Sequence, residues 1–196
     1  MTEFIYTRIK GEKKKKDQHA AAWGLLSDAL KDYGLSPMPP VTVLNKGKPV
    51  FTDIDWLFFS ISHSEDVAAC VVSDEGNIGL DVQKMNKRSD PLKIGKRFFH
   101  PDEYTLLSST DDEEARRLLF FKIFSSKEAF VKMTGDGMSR DFRRFKTVMD
   151  SDTEGTVYDE KKEAAGSLKF HSLPLLSNGD NYVAVTCLPF TGPYPS

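Results

Sequence analysis

A chain of 196 residues, 39% hydrophobic and 29% charged, has the composition of a water-soluble globular protein, with room for one large domain or two of about a hundred residues. A formal net charge of -2 argues against a nucleic-acid binder, and no apolar run approaches the ~18 residues that span a membrane. The opening "MTEFIYTRIKGEKKKK" lacks an apolar stretch after its basic cluster, unlike a secretory leader, and Cys70 and Cys187 sit in apolar runs, so buried reduced thiols and a cytoplasmic location are expected.

In chain order, Ala22, Leu25, Leu26, Ala29 and Leu30 recur at helical spacing, with Gly34 as the stop and Pro37, Pro39 and Pro40 preventing continuation. "VTVLNKGKPVF" (41–51) reads as a short strand and a Gly-Pro turn. "WLFFSIS" (56–62), "VAACVVS" (67–73) and "IGLDVQ" (78–83) follow with tight connections, which predicts an antiparallel sheet of three strands. Residues 90–109 predict two short helices broken near Pro101. Residues 111–134 predict a long helix, on which Ala115, Leu118, Leu119, Ile123 and Phe130 keep a period of 3.6. The acidic, lysine-rich tract 150–166 reads as an exposed turn or loop. "FRRFKTVMD", "SLKFHSLPL" and "NYVAVTCLPF" read as strands. The class is therefore α+β, in two successive halves, 1–85 and 86–196, with no repeat visible at the residue level.

Three stretches combine residues that could carry chemistry. In "FSISHSEDVAAC", Ser60, Ser62, His63 and Ser64 stand where a buried strand ends. They could bind a phosphate, or they could form a polar turn. Taken alone, the polar turn is the stronger reading. A Ser-His-Asp triad with Asp66 is set aside because no G-x-S-x-G elbow occurs. In "IGLDVQKM", Asp81 and Gln83 share one strand face while Ile78, Leu80 and Val82 take the other. That pair suits Mg²⁺ or, equally, a solvated edge. In "FFKIFSSKEAFVKMTGDGMS" (120–139), Glu128 and Lys132 share a helix face. They could be a common surface ion pair, or a buried carboxylate that needs a cation. Lys127 could be a phosphate contact or a solvated neighbour. Arg8, Lys13 to Lys16, Lys46 and Lys48 are further candidates for phosphate contacts, and only Lys48, in the turn "KGKPVF", has positional meaning.

The order and spacing of these stretches carry more than any one of them. "SISHS", "IGLDVQ", "KRFFHPDEY" and "FSSKEAFVKMTGDGMS" together resemble the 4′-phosphopantetheinyl transferases of the surfactin-synthetase-activating type, from about Lys46 to about Thr147. The family pattern is a strand ending in (N)-x-S-H-S, a G-x-D-x-E strand, an F-x-x-x-E-Y segment and a W-x-x-K-E-A-x-x-K helix followed by G-x-G. The resemblance implies a pseudo-dimer of two similar α+β halves, each with a small antiparallel sheet and a long helix, and a cleft between them for coenzyme A and Mg²⁺. It implies transfer of the 4′-phosphopantetheine arm of coenzyme A to a serine of an acyl, peptidyl or polyketide carrier protein, by a monomer. By position, Asp81 and Glu128 would be Mg²⁺ ligands, with Gln83 a third. Glu128 would also be the general base, and Lys132 would neutralise the pyrophosphate. Ser62 and His63 would hold phosphates on the adenosine side, and Lys48 would face the nucleotide.

The chain departs from the pattern at Gln83, where many members have Glu, at Ser60 for Asn and at Phe124 for Trp. The N-terminal third matches poorly. An impaired coenzyme A-binding relative and a small interaction domain are the competing readings. "KRFFHPDEYTLL" is the candidate docking surface for the carrier.

Overall fold

The computed structural model describes residues 1–9, 15–86, 88–173 and 181–192. Lys13 and Lys14 of the basic run lie outside them. The sequence reading assigns no element to the first residues, yet β1 (Thr2–Arg8) forms there. It pairs antiparallel with β5 (Val67–Ser73), which pairs antiparallel with β4 (Phe58–Ser64) on its other side. β5 is the central strand and is buried along its whole length, as its uninterrupted apolar run requires.

One face of β5 packs on α1 (Lys15–Asp32). Leu26, Ala29 and Leu30 of the helix meet Phe51, Leu57, Phe59, Cys70 and Val72. Burial pushes the Cys70 thiol up to about 12, and both cysteines are free and buried. The stretch 41–51 forms two strands rather than one: β2 (Val41–Val43) and β3 (Pro49–Phe51) pair as a hairpin.

β6 (Gly79–Lys84) corrects the three-strand expectation. It leaves β4 and β5 and becomes the edge of a second sheet, whose order is β6, β10 (Tyr182–Pro189), β9 (Ala164–His171), β8 (Glu154–Tyr158), β7 (Lys146–Met149). The first sheet ends in sequence at Ser73, and the second begins at Gly79. The tract 150–166 is also corrected. It contains β8, whose Gly155, Thr156 and Val157 are buried, and the first residues of β9; the turns are confined to 150–153 and 159–163.

Between β6 and β7 come α2 (Pro91–Phe98), α3 (Pro101–Ser109) and α4 (Glu113–Thr134). Each starts at a side-chain cap: Asp90 for α2, His100 with Glu103 for α3, and Asp112, which accepts from the Ala115 N–H at 2.7 Å, for α4. α4 ends at Gly135, which takes φ +74 and donates its N–H to Val131 O. Phe120, Phe121, Ile123, Ala129, Phe130 and Met133 of α4 pack on Val157, Leu168, Val183, Val185 and Cys187 of the second sheet and on Phe145 just before β7.

The two sheets meet along β4 and β6. The hydroxyls of Ser60, Ser62 and Ser64 accept the backbone N–H groups of Leu80, Val82 and Lys84 at 3.0, 3.1 and 3.0 Å. The register rises in step on both strands, so they run parallel. Val67, Ala69, Val71, Ile78, Leu80, Val82 and Ala184 fill the angle behind this seam.

Candidate functional site

The seam brings three elements to one place. β4 supplies Ser62, β6 supplies Asp81 and Gln83, and α4 supplies Glu128 and Lys132. Gly79 sets how closely β6 and α4 approach. A Cβ on it would stand 1.9 Å from Ala129 O and 2.5 Å from Met133 N, so only glycine lets the strand lie directly on the helix backbone. Two residues further on, Asp81 faces the same helix turn.

Asp81 is 3% exposed. Its Oδ1 accepts from Lys132 Nζ at 2.8 Å and from Ser62 Oγ at 3.3 Å. Its Oδ2 is buried and has no hydrogen-bond partner. Lys132 Nζ also donates to Leu80 O at 2.9 Å and to Ser62 Oγ at 3.2 Å. Glu128 lies one turn earlier on the helix. Its carboxyl is raised above the usual range, first by burial and then by the neighbouring Asp81 carboxylate, with Lys132 opposing both. Two carboxylates that repel each other, one with an orphaned buried oxygen, are a donor set for a hard cation. Among the described residues no third His, Cys, Asp or Glu joins them. Strand alternation puts the Gln83 amide on the same face of β6 as Asp81. Such a set suits Mg²⁺, which keeps several of its ligands as water or phosphate oxygen.

The other expected residues fall in different places. Lys127 is corrected: it is neither a phosphate contact nor solvated. It is fully buried, with its ammonium 2.9 Å from Glu103 Oε2 and donating to Phe142 O and Phe145 O at 2.9 and 2.7 Å. Glu103 in turn accepts from the His100 N–H and from the N–H and hydroxyl of Thr147. Every charge here is met by hydrogen bonds, so the pair ties α3 and α4 to the start of β7. Lys48 donates to Met133 O at 2.9 Å, Ile78 O at 3.3 Å and Asn77 Oδ1 at 3.2 Å, holding the end of α4; burial lowers its pKa to about 8. Strand alternation places Ser62 toward β6 and the half-buried His63 on the opposite face of β4, with Phe59 and Ile61. Arg8 binds Asp66 at 2.8 Å. Lys46 stands 3.7 Å from Asp136.

Sequence reasoning missed the serine seam and the Glu103–Lys127 pair. The alternation in "SISHS", which puts three hydroxyls on one face, was the available signal for the first. The second leaves no local trace.

A family model described as the 4′-phosphopantetheinyl transferase superfamily matches residues 77–187, more than half of the chain. The chain belongs to that superfamily. The matched span begins just before β6 and ends within β10, so it contains the whole second sheet between those strands, α4, and Asp81, Gln83, Glu128 and Lys132. The 4′-phosphopantetheinyl transferase HetI of Nostoc sp. is 39% identical over 125 residues, 61% of this chain and 52% of that protein. The 4′-phosphopantetheinyl transferase psf-1 of Bacillus pumilus is 35% identical over 127 residues, 65% and 53% of the two chains. A 4′-phosphopantetheinyl transferase of Bacillus subtilis is 35% identical over 129 residues, 64% and 56%. The chain thus spans about half the length of the curated relatives it matches. No helix among the described residues is long and apolar enough to cross a membrane.

Proposed function

We propose that this chain transfers the 4′-phosphopantetheine arm of coenzyme A to a serine hydroxyl of a carrier protein and releases adenosine 3′,5′-bisphosphate. The observation that carries the reading is the convergence of Asp81, Ser62, Glu128 and Lys132 on one seam, inside the span that matches the superfamily apart from Ser62. The two sheets, each with a helix packed on it, also suit the proposed pseudo-dimer of α+β halves, with the seam as its cleft. A cytoplasmic monomer is part of the same proposal.

Asp81 through its free Oδ2, Glu128, and Gln83 through its amide oxygen would hold Mg²⁺. The bound ion would supply positive charge at the pyrophosphate oxygens. Glu128, beside the cation site and on the helix face that meets Asp81, would take the proton of the carrier serine. The serine oxygen then bonds to the phosphorus that carries the pantetheine arm. The bridging P–O bond to the adenosine phosphate breaks, and Lys132 offsets the charge that gathers on the departing oxygen. Ser62 keeps Lys132 and Asp81 in register. Phe98 and Leu106 are 44% and 53% exposed on α2 and α3, which suits the proposed apolar contact with the carrier.

The test is mass spectrometry of apo carrier proteins of the fatty-acid, polyketide and peptide types, incubated with the chain, coenzyme A and Mg²⁺. Gain of one phosphopantetheine on at least one type is expected. No gain on any type, with coenzyme A binding intact by calorimetry, would favour the second reading. That reading is a coenzyme A-binding relative without catalysis, which the neutral Gln83 at a ligand position motivates.

A further inference from the structure

We propose that Lys132 is a latch on the cation site. In the free protein its ammonium occupies Asp81, and its release couples cation binding to the arrival of a diphosphate. The second half of this statement rests on the transferase reading; the first half stands on the geometry.

The Asp81 carboxylate is loaded on one side only. Oδ1 takes both donors, Lys132 at 2.8 Å and Ser62 at 3.3 Å, and the buried Oδ2 takes none. The ammonium is not held by charge alone. Leu80 O and Ser62 Oγ, at 2.9 and 3.2 Å, fix it from the backbone of β6 and from β4. A cation approaching Oδ2 therefore meets a carboxylate already half neutralised and a like charge in direct contact with its other oxygen.

The latch can open. Lys132 is 33% exposed, unlike Lys127, which is fully buried in the same helix with all its donors used. Its acceptors are one shared carboxylate oxygen, one carbonyl and one hydroxyl. A diphosphate offers several charged oxygens to a flexible ammonium on a four-carbon stem. Once the ammonium turns to it, Asp81 presents both oxygens to the cation. Each ligand then removes an obstacle to the other, which is positive coupling through one side chain.

Mn²⁺ binding to the full chain, read by electron paramagnetic resonance without coenzyme A, tests the first half. Lys132→Met should bind Mn²⁺ at least about tenfold more tightly than the wild type. Adding Asp81→Asn to that variant should return affinity to the weak level. Equal affinity of wild type and Lys132→Met, or a gain that survives Asp81→Asn, overturns the latch. A second measurement needs no variant at position 132. In the ¹⁵N spectrum of lysine ammonium groups of the wild type, the Lys132 signal should shift as Mg²⁺ saturates the site. A signal unmoved through saturation also overturns it. Neither arm depends on transfer to a carrier, so failure of the transferase assay and failure of the latch are separate results.

Discussion

Glu128 and Lys127 are adjacent in sequence and opposite in environment. Lys127 points into the core, where Glu103 and two carbonyls satisfy it, and burial lowers its pKa while Glu103 holds it up. Glu128 points to the seam, where burial and Asp81 raise its pKa. Their substitutions should therefore fail in different assays. Glu128→Gln keeps the shape and removes the proposed base, so transfer should fall by at least about 100-fold with an unchanged urea midpoint. Activity near wild type would exclude Glu128 as base and as an essential ligand. Lys127→Met should instead leave Glu103 as a lone buried charge and cost about 3–5 kcal/mol in urea unfolding. Adding Glu103→Gln to Lys127→Met should recover part of that loss, because the carboxylate left without its partner is then neutral. If the double variant is no more stable than the single, the cost comes from packing rather than charge.

At the scale of elements, β9 and β10 meet β1 through one imidazole. His171 Nε2 lies 2.8 Å from Thr186 Oγ1, and Phe4 stacks on the ring at 4.1 Å between centroids. Burial, with Lys169 adding repulsion, lowers the His171 pKa to about 4. The unfolded chain binds this proton near 6.5, so between those values it holds a proton that the folded chain lacks. Stability from this group is full above 6.5 and should fall by up to about 1.4 kcal/mol per pH unit on acidification, until the folded ring also protonates near 4. Urea unfolding at pH 7, 6 and 5 should give a shallower slope for His171→Gln than for wild type; parallel slopes would refute it. Elements like these were unequally legible in the sequence. α4 was readable because its 3.6 period is local, and Asp112 and Gly135 cap it in the structure. β6 was readable as a strand with Asp81 and Gln83 on one face. Its partner was not, since the alternation is the same beside β5 or beside β10, a hundred residues on. β8 was hidden because the acidic and lysine-rich residues around it have the composition of a turn. Lys127 reads as a phosphate contact or a solvated neighbour because its partner lies on another helix, so the local charge pattern says nothing of burial. Asp81, Glu128 and Lys132 were placed together by motif order, and the structure brings them to one seam.

On the scale of the molecule, the seam joins two sheets through serine hydroxyls. Where β4 and β6 lie side by side, the N–H groups of β6 go to serine Oγ atoms rather than to carbonyls of β4. The other edge of β6 keeps its regular ladder with β10. A carbonyl ladder would fuse β4 to β6 as one continuous sheet. Hydroxyls hold the strands with side chains and leave Ser62 able to serve Val82, Asp81 and Lys132 at once. The flanking Ser60 and Ser64 touch neither Asp81 nor Lys132 in the structure's hydrogen bonds, so their share of the joint can be separated from the site. Ser60→Ala and Ser64→Ala each orphan one strand N–H, at a cost of about 1–3 kcal/mol where the group is buried. The double variant should lower the urea midpoint and speed hydrogen exchange at the Leu80 and Lys84 amides. Exchange at Leu26 and Leu30 inside α1 should keep its rank as the slower class, because that helix packs on the far face of the first sheet. Unchanged exchange at Leu80 and Lys84 would mean that the hydroxyls do not hold β6, and that the apolar cluster behind the seam joins the sheets without them.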